Sequence, residues 1–415
     1  MGCVLFDVRH CSRLSRERET SITGHDRHLM KLSHILLILT AVLCGQKLAA
    51  EPLPEAPLTS KKPMLFANYY TWYSTNTGPN QTWTHWVRHP VADEMNKEAK
   101  RTGKVAERLE PTDIASVFWP LVGPYSSNDK EIVRWHIRLA KAAGIDAFMV
   151  DWWGPQGWGL VPGLTRISFE EVVLPIASEE NFKVALLDET AQFTTLSTSK
   201  EWAATYLKKF KDHPAYLKVD GRPVYYLYQV AFDPSLTPKK FAELKSYVEE
   251  RVGPVYWMVE AISNSNDDFR IPAEWRPVVG LDSFSFYGTF SIFPAHTYDH
   301  LTARYAKVVK QAHDSGKKMC VPVHPGHNNL NEGNPKHYEM PRRDGQTFRD
   351  YLRAASDSKA DYVMVTSFNE WPESTVIEPS SSWADPYQYL KILAEWKGVE
   401  FRAPEEPQRV KQLTE

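Results

Sequence analysis

The stretch that decides the fold lies near the C-terminus, at residues 361–378, and reads DYVMVTSFNEWPESTVIE. Its first part is a short run of β-branched and apolar residues, which favours a buried strand. Directly after that run come Asn369, Glu370, Trp371 and Glu373. A strand that ends in polar and aromatic side chains is typical of the C-terminal face of a barrel enzyme, where catalytic residues are carried on strand ends.

Further runs of the same kind occur along the whole chain, and they predict eight strands. Most of them are continuously apolar or aromatic, as expected for parallel strands that are covered on both faces. The predicted strands are Leu65–Tyr70, Asp146–Asp151, Lys183–Asp188, Pro223–Tyr228, Val255–Ala261, Ser283–Tyr287, Lys318–Val323 and Tyr362–Ser367.

Segments with helical periodicity alternate with these strands, except between the fifth and sixth, where the pattern predicts at most a short helix. The predicted helices are Asp129–Ala143, Ser168–Glu180, Ser199–Asp212, Thr237–Arg251, Tyr298–Ser315, Gly345–Ser358 and Pro386–Lys397. This alternation predicts an α/β fold, a single (β/α)8 TIM barrel, in which a long loop after strand 1, residues 74–128, covers the C-terminal face. A doubly wound open sheet is the alternative, but no glycine-rich nucleotide-binding loop follows any strand.

In a barrel, the strand ends meet on one face, so their residues form one set of site candidates. Nearly every strand ends in a carboxylate, an imidazole or a large aromatic ring; the second, for example, ends Asp151-Trp152-Trp153. Such rings beside hydrogen-bonding groups suit the apolar faces and hydroxyls of sugars. The predicted substrate-binding residues are Tyr70, Trp72, His85, Trp86, Trp152, Trp153, Glu189, Tyr228, Glu260, Tyr287, His324, His327, Asn369 and Trp371.

Glu370 and Glu373 are the predicted catalytic pair. Cleavage of a glycosidic bond requires one group that protonates the leaving oxygen and another that assists attack at the sugar carbon. Burial beside Trp371 and a second carboxylate would raise the pKa of the acid. If the turn is helical, with Pro372 as its first residue, the two side chains share a face. The alternative is that both glutamates cap or pair with the next helix, and Glu378 is interpreted as structural.

A metal site is another possible interpretation of the strand ends. His324, His327 and Glu260 could bind zinc, but the two histidines flank Pro and Gly instead of sharing a helix face, and no H-E-x-x-H sequence occurs. We therefore expect neither a metal nor a cofactor.

The composition and the N-terminal segment predict the class of ligand and the cellular location of the protein. With 49 basic and 51 acidic residues there is no basic stripe, so nucleic acid is not an expected partner; the 14 Trp, 19 Tyr and 18 Phe favour a sugar ligand. Residues 30–50 have the layout of a signal peptide, and we expect the preceding residues 1–29 to be a mis-annotated leader. After the signal peptide we expect a Pro-rich linker (51–63), a catalytic domain (64–400) and a tail (401–415). A lipoprotein signal at Cys44 is the weaker alternative. The expected product is a secreted or periplasmic monomer without a transmembrane segment, in which Cys320 is buried.

The segment 366–378 resembles the S-F-N-E-W-H-E-G-T-Q-I-E segment of glycoside hydrolase family 99, the endo-α-1,2-mannosidases and mannanases. The resemblance covers nearly all of 64–397 and includes Tyr69–Tyr73, His85-Trp86, Trp152-Trp153 and the strand that ends at Glu189. It implies a (β/α)8 fold and a retaining, endo-acting hydrolase without a cofactor. It also implies an unusual route, in which Glu370 as base activates the sugar's own 2-hydroxyl to form a 1,2-anhydro-sugar and Glu373 is the acid/base.

The sequence departs from the family beside this pair. Pro372 and Ser374 replace a His and a Gly, and Glu189-Thr190-Ala191 replaces E-P-Y. These changes bear on which glycan is bound, a mannan-like chain or a related polysaccharide, more than on the chemistry. Two other function classes remain open from the sequence: a carbohydrate-binding protein without turnover and a glycosyl-transfer enzyme on the same scaffold.

Overall fold

The structure is a computed structural model. It describes residues 62–75, 78–87, 114–157, 161–190, 194–228, 236–264, 269–288, 298–332 and 338–408. The predicted leader and signal peptide, nearly all of the linker, part of the long loop and the end of the tail lie outside these residues. None of the described helices is long and apolar enough to cross a membrane.

Eight parallel strands form a closed barrel. In chain order they are β1 (Met64–Tyr69), β2 (Ala147–Trp152), β3 (Lys183–Asp188), β4 (Arg222–Leu227), β5 (Tyr256–Glu260), β6 (Ser283–Ser285), β7 (Lys318–Val323) and β8 (Tyr362–Val365). Each strand pairs with its neighbour in sequence, and β8 pairs with β1 through Met64 opposite Tyr362. Closure, with Leu186 of β3 opposite Tyr225 of β4, confirms the TIM barrel and rules out the open sheet.

Helices follow seven of the strands, on the outside of the barrel. They are α1 (Lys130–Ala142), α2 (three consecutive segments, Leu164–Ile167, the π-helical Ser168–Val173 and Leu174–Glu179), α3 (Leu196–Phe210), α4 (Pro238–Val252), α5 (Tyr298–Asp314), α6 (Gln346–Asp357) and α7 (Gln388–Lys397). Between β5 and β6 the described residues contain a two-stranded hairpin, Ser263–Asn264 with Phe269–Arg270, and no helix.

Side-chain caps explain where several helices begin. The Asp129 carboxylate accepts hydrogen bonds from the first backbone N–H groups of α1, and Thr195 and Thr237 do the same for α3 and α4. The predicted helix boundaries agree with the observed ones to within a few residues, apart from α2, which begins four residues earlier than predicted.

The barrel strands are almost entirely buried, including Cys320 on β7, as predicted. The described parts of the long loop after β1 lie at the C-terminal end of the barrel. There the backbone N–H of Leu121 donates to Pro379 O, and that of Ser127 donates to Tyr73 O. This end, where the loop joins the strand tips, is where the polar residues collect.

Candidate active site

The two catalytic candidates lie on a tight turn that follows β8. The Ser374 N–H donates to Trp371 O at 2.9 Å, which closes a β-turn with Pro372 and Glu373 at its centre. The segment after Glu370 is thus a β-turn instead of the first turn of a helix, and Pro372 occupies its second position. Proline suits the second position of such a turn because its φ is already set.

Glu370 is nearly completely buried, with 4 % of its surface exposed. Its backbone N–H donates to Ser367 Oγ at 2.7 Å, which fixes where the side chain leaves the loop. Its Oε2 atom has no hydrogen-bond partner among the described residues. A buried oxygen without a partner is costly, so Glu370 is poised to exchange a proton or to accept a hydrogen bond from a ligand.

Glu373 is partly exposed and is held by a tyrosine. The Tyr287 hydroxyl donates to Glu373 Oε2 at 2.7 Å and in turn accepts a hydrogen bond from the Tyr70 hydroxyl at 3.2 Å. Tyr70 and Tyr287 follow β1 and β6, so residues from three strand ends meet at one carboxyl group.

Burial raises the pKa of both carboxyls. The pKa of Glu370 lies well above its usual value, through burial first and then through the neighbouring charges of Glu373, Glu332 and Glu189. The pKa of Glu373 rises to about 7, because burial outweighs the hydrogen bond from Tyr287. The two groups interact and titrate as a pair, so at neutral pH the site holds protons that ordinary carboxylates would have lost.

Other acidic groups line the same space. Glu189, at the end of β3, is buried, and its pKa rises to about 8 through burial and the charges of Glu260 and Glu373. Asp151, at the end of β2, is completely buried, and its pKa rises well above the usual range through burial and the charges of Glu189 and Glu370. Asp151 and the exposed Glu332 were not among the predicted site residues.

An aromatic wall lies beside these carboxyls. The Trp72 ring stacks on His85 at 4.6 Å and on Tyr70 at 4.5 Å, and it meets Trp153 edge-on at 5.5 Å. Trp72, His85 and Trp153 are each partly exposed. Tyr228 meets the Tyr287 ring edge-on at 5.5 Å. Partly exposed rings beside hydrogen-bonding groups can hold the apolar face of a sugar while its hydroxyls are bound.

Three predicted residues form a buried layer beneath the turn. Asn369 accepts from Tyr70 N–H at 2.7 Å and donates to Tyr70 O at 2.9 Å, which ties β1 to the turn. The Trp371 indole donates to the buried Glu378 at 2.9 Å, and Trp86 packs against Trp371 at 6.2 Å. Glu378 thus has the structural place expected of it, 3.2 Å from the Nε2 of His136.

The remaining predicted residues pack against the helices or contact backbone groups. Trp152 is completely buried and packs against Tyr206 of α3, at 4.8 Å. Glu260 accepts from Tyr287 N–H at 2.7 Å, and His324 and His327 each lie 3.1 Å from a backbone carbonyl. Among the described residues no group of His, Cys, Asp or Glu has the arrangement of a metal site.

A partly buried arginine fixes the loop after Glu373. Arg342 donates from Nη2 to Ser374 O at 2.7 Å and to Val376 O at 2.8 Å. Its guanidinium lies within 5 Å of three ring centroids, those of Phe118, Trp383 and Tyr389. Ser374 itself has a positive φ of 54°, which is unusual for a residue with a side chain. The turn that carries Glu373 is therefore held from outside the site.

Comparison with known proteins agrees with this architecture. The family model of glycosyl hydrolase family 99 matches residues 61–396. A glycoprotein endo-alpha-1,2-mannosidase-like protein of Mus musculus is 25% identical over 84% of this chain and 78% of its own length. A glycoprotein endo-alpha-1,2-mannosidase of Rattus norvegicus is 23% identical over 80% of this chain and 73% of its own.

A solved structure shares the fold. The GH99 endo-alpha-mannosidase from Bacteroides thetaiotaomicron superposes with a TM-score of 0.63 at 22% identity, over 84% of this chain and 100% of that one. At this level of identity the likeness concerns the barrel.

Proposed function

The protein belongs to glycosyl hydrolase family 99 and is a glycoside hydrolase. We propose that it cleaves internal bonds of α-linked, mannan-like glycans, with Glu370 and Glu373 as its catalytic pair. The observation that carries the proposal is the geometry of this pair. Two carboxyls with raised pKa values, the buried Glu370 and the partly exposed Glu373, stand on one turn at the C-terminal end of the barrel, beside a partly exposed aromatic wall. The mannosidase names of the relatives support the glycan class.

The proposed route retains the configuration at the anomeric carbon through a 1,2-anhydro-sugar. Glu370 takes the proton of the sugar's 2-hydroxyl while that oxygen bonds to the anomeric carbon. The bond to the leaving sugar breaks in the same step, and Glu373 gives its proton to the leaving oxygen. Water then opens the three-membered ring: its proton goes to Glu373, and Glu370 returns its proton to the 2-oxygen.

The surroundings of each carboxyl support these roles. A group that both gives and takes a proton works best with a pKa near the working pH, and Glu373 has a pKa of about 7. A base that must deprotonate a hydroxyl benefits from a high pKa, and Glu370 keeps one oxygen without a protein partner. Because burial and the charge of Glu373 raise the pKa of Glu370, the two groups gain and lose protons as a coupled pair.

The decisive experiment compares the wild type with Glu370→Gln and Glu373→Gln on α-linked and β-linked mannans and glucans, with reducing ends counted over time. We expect internal cleavage of an α-linked chain by the wild type and a loss of at least about a hundredfold in each variant. Lys310→Gln, on the exposed face of α5, is the matched surface control and is expected to retain full activity.

Two results would contradict the proposal. If the wild type cleaves none of the polymers while all variants bind one of them equally, the protein is a carbohydrate-binding protein. If NMR during turnover shows the inverted anomer first, the anhydro-sugar route is wrong. Transfer of the glycan to an added sugar acceptor in preference to water would favour the glycosyl-transfer alternative.

Export is a separate part of the proposal and rests on the signal-like pattern of residues 30–50. Expression of the full chain with N-terminal sequencing of the exported fraction tests it. We expect a new N-terminus close to residue 50. Recovery of the intact chain from the cytoplasm alone would show that the segment is not a signal.

A further inference from the structure

Asp151 is a buried acidic group of the site whose nearest polar neighbours do not satisfy its carboxyl oxygens with well-formed hydrogen bonds. It is completely buried at the end of β2, and neither of its carboxyl oxygens completes a hydrogen bond of normal geometry with a described residue. The Glu189 carboxyl and the Trp153 indole lie close enough to shift its pKa. A buried, ionised carboxylate without hydrogen bonds lowers the stability of a fold by several kcal/mol.

Asp188, at the end of the neighbouring strand β3, is a buried carboxylate whose oxygens do accept hydrogen bonds. Asp188 is equally buried, but it accepts hydrogen bonds from the Tyr225 hydroxyl at 2.6 Å and from the Thr190 N–H at 2.7 Å. Asp188 is therefore bound within the protein. The open oxygens of Asp151 are left for a proton or for a ligand.

The groups that face Asp151 come from three other strand ends. They are Tyr70 after β1, Glu189 after β3 and Glu370 after β8. Trp153, directly after β2, lies beside them. None of these is a cation, so nothing among them stabilises two adjacent negative charges. Two carboxyls in such surroundings hold one proton between them, because ionising both would place like charges together in a buried space.

We propose that Asp151 and Glu189 act as one carboxyl pair, which carries a single shared proton and binds a hydroxyl group of the sugar held against Glu370. The protonated member donates to a sugar oxygen, and the ionised member accepts from a sugar hydroxyl. This assignment rests on the proposed function in one respect, namely that the ligand is a sugar. It makes Asp151 a substrate-binding residue in addition to the two glutamates.

The electrostatics agree with this arrangement. Burial and the two neighbouring glutamates raise the pKa of Asp151, and burial raises the pKa of Glu189 to about 8. Glu189 is also influenced by Glu260, Glu373 and Asp188, all acidic. The pair therefore keeps a proton to a pH well above the usual range of a carboxyl group.

The first test needs no substrate. Infrared difference spectra of the wild type minus Asp151→Asn, at neutral pH, should show the carbonyl band of a protonated carboxyl in the wild type. The band should be missing from the variant, because an amide beside Glu189 donates to it and lets it ionise. Asp188→Asn is the matched control and should retain the band. Identical carbonyl regions in the wild type and Asp151→Asn would overturn the shared proton.

The second test measures binding with the catalytic acid disabled. Saturation-transfer NMR on Glu373→Gln, with D-mannose, D-glucose and D-galactose as probes, should show contact for at least one hexose. Adding Asp151→Ala should reduce that signal at least about tenfold, the effect of losing one charge-assisted hydrogen bond. Adding Asp151→Asn should preserve it, since the amide both donates and accepts.

The pH dependence separates binding from a structural role. In the parent the hexose signal should fall on the alkaline side of neutrality, once the pair becomes doubly charged and loses its donor. With Asn at position 151 the signal should stay constant across that window. If no hexose contacts the parent, or if Asp151→Ala leaves contact unchanged in a protein that melts like the parent, the proposal is wrong. Hexose contact in a protein that cleaves no glycan would refute the hydrolase mechanism and leave the pair standing.

Discussion

Replacing Tyr287 with Phe removes one hydroxyl group and tests how the site sets the protonation of Glu373. That hydroxyl donates to Glu373 Oε2 at 2.7 Å and favours the ionised carboxylate, while burial acts in the opposite direction and brings the pKa to about 7. A hydrogen bond to a charged group contributes about 1.5–3 kcal/mol. One pKa unit corresponds to about 1.4 kcal/mol, so Tyr287→Phe should raise the pKa of Glu373 by about one to two units.

The rate should follow the same shift. If Glu373 is the acid, it must be protonated when the leaving oxygen departs, and in the variant it keeps its proton to a higher pH. The basic limb of the profile of kcat/KM against pH should therefore move up by the same one to two units. The maximum should fall as well, because Tyr70 loses its acceptor, the Tyr287 oxygen, and the carboxyl loses its orientation.

Two measurements check this prediction. A carbon-13 NMR titration of glutamate carboxyls gives the pKa without substrate, with Glu373→Gln identifying the resonance. The pH profile on the glycan found to be cleaved gives the kinetic value. Tyr256→Phe is the matched control, since that hydroxyl meets Tyr362 at 2.9 Å at the opposite end of the barrel and should move neither value. An unchanged or lowered pKa for Glu373 in Tyr287→Phe would refute the reasoning, as would a shift of the acidic limb alone.

Three further predictions concern stability and the turn. Glu189→Gln should raise the melting temperature at pH 8 but not at pH 4. In the folded protein this carboxyl keeps its proton up to about pH 8, whereas in the unfolded chain it releases the proton near pH 4.5. An equal gain at both pH values would contradict this. Ser374→Gly should raise the free energy of unfolding by up to about 1 kcal/mol in urea titrations, because it relieves a positive φ; a loss of that size would show that the Ser374 hydroxyl matters more. Arg342→Met should lower kcat at least about tenfold by releasing the turn, with a smaller change in KM, whereas Arg343→Met, beside it on the surface, should lower neither.

Much of the fold follows from the sequence because the strand signal is strong and the geometry is restrictive. Eight apolar runs alternating with capped helices admit few arrangements, and pairing of β8 with β1 closes the only barrel they can form. The ends of elements are less certain. The sixth run predicts a strand to Tyr287, but pairing ends at Ser285, and Tyr287 instead directs its N–H to Glu260. A side-chain acceptor at the end of the neighbouring strand β5 takes the place of a backbone partner, and no local pattern signals that.

The end of β2 carries a sequence signal that identifies a further site residue. Successive side chains of a strand point to opposite faces, so Asp151 and Trp152 cannot both face the barrel interior. The structure has Trp152 packed outward against α3, and Asp151 beside Glu189 and Glu370. Alternation applied to the end of β2 would have selected Asp151 over Trp152. The form of the Glu370–Glu373 turn could not be found this way, because it depends on Ser374 adopting a positive φ under contacts from Arg342.

The carboxyl groups at the C-terminal end of this barrel lower the stability of the fold, although the proposed activity depends on them. Asp151, Glu189, Glu370 and Glu373 all have raised pKa values, so each resists ionisation in the folded protein. Each therefore lowers stability as the pH rises past its value in the unfolded chain, and an amide in its place removes that loss. Selection for stability alone would replace them. Their joint presence at one end of a barrel whose strands are mostly apolar favours a function that uses the protons they hold, and cleavage of a glycosidic bond is a reaction that needs an acid and a base together.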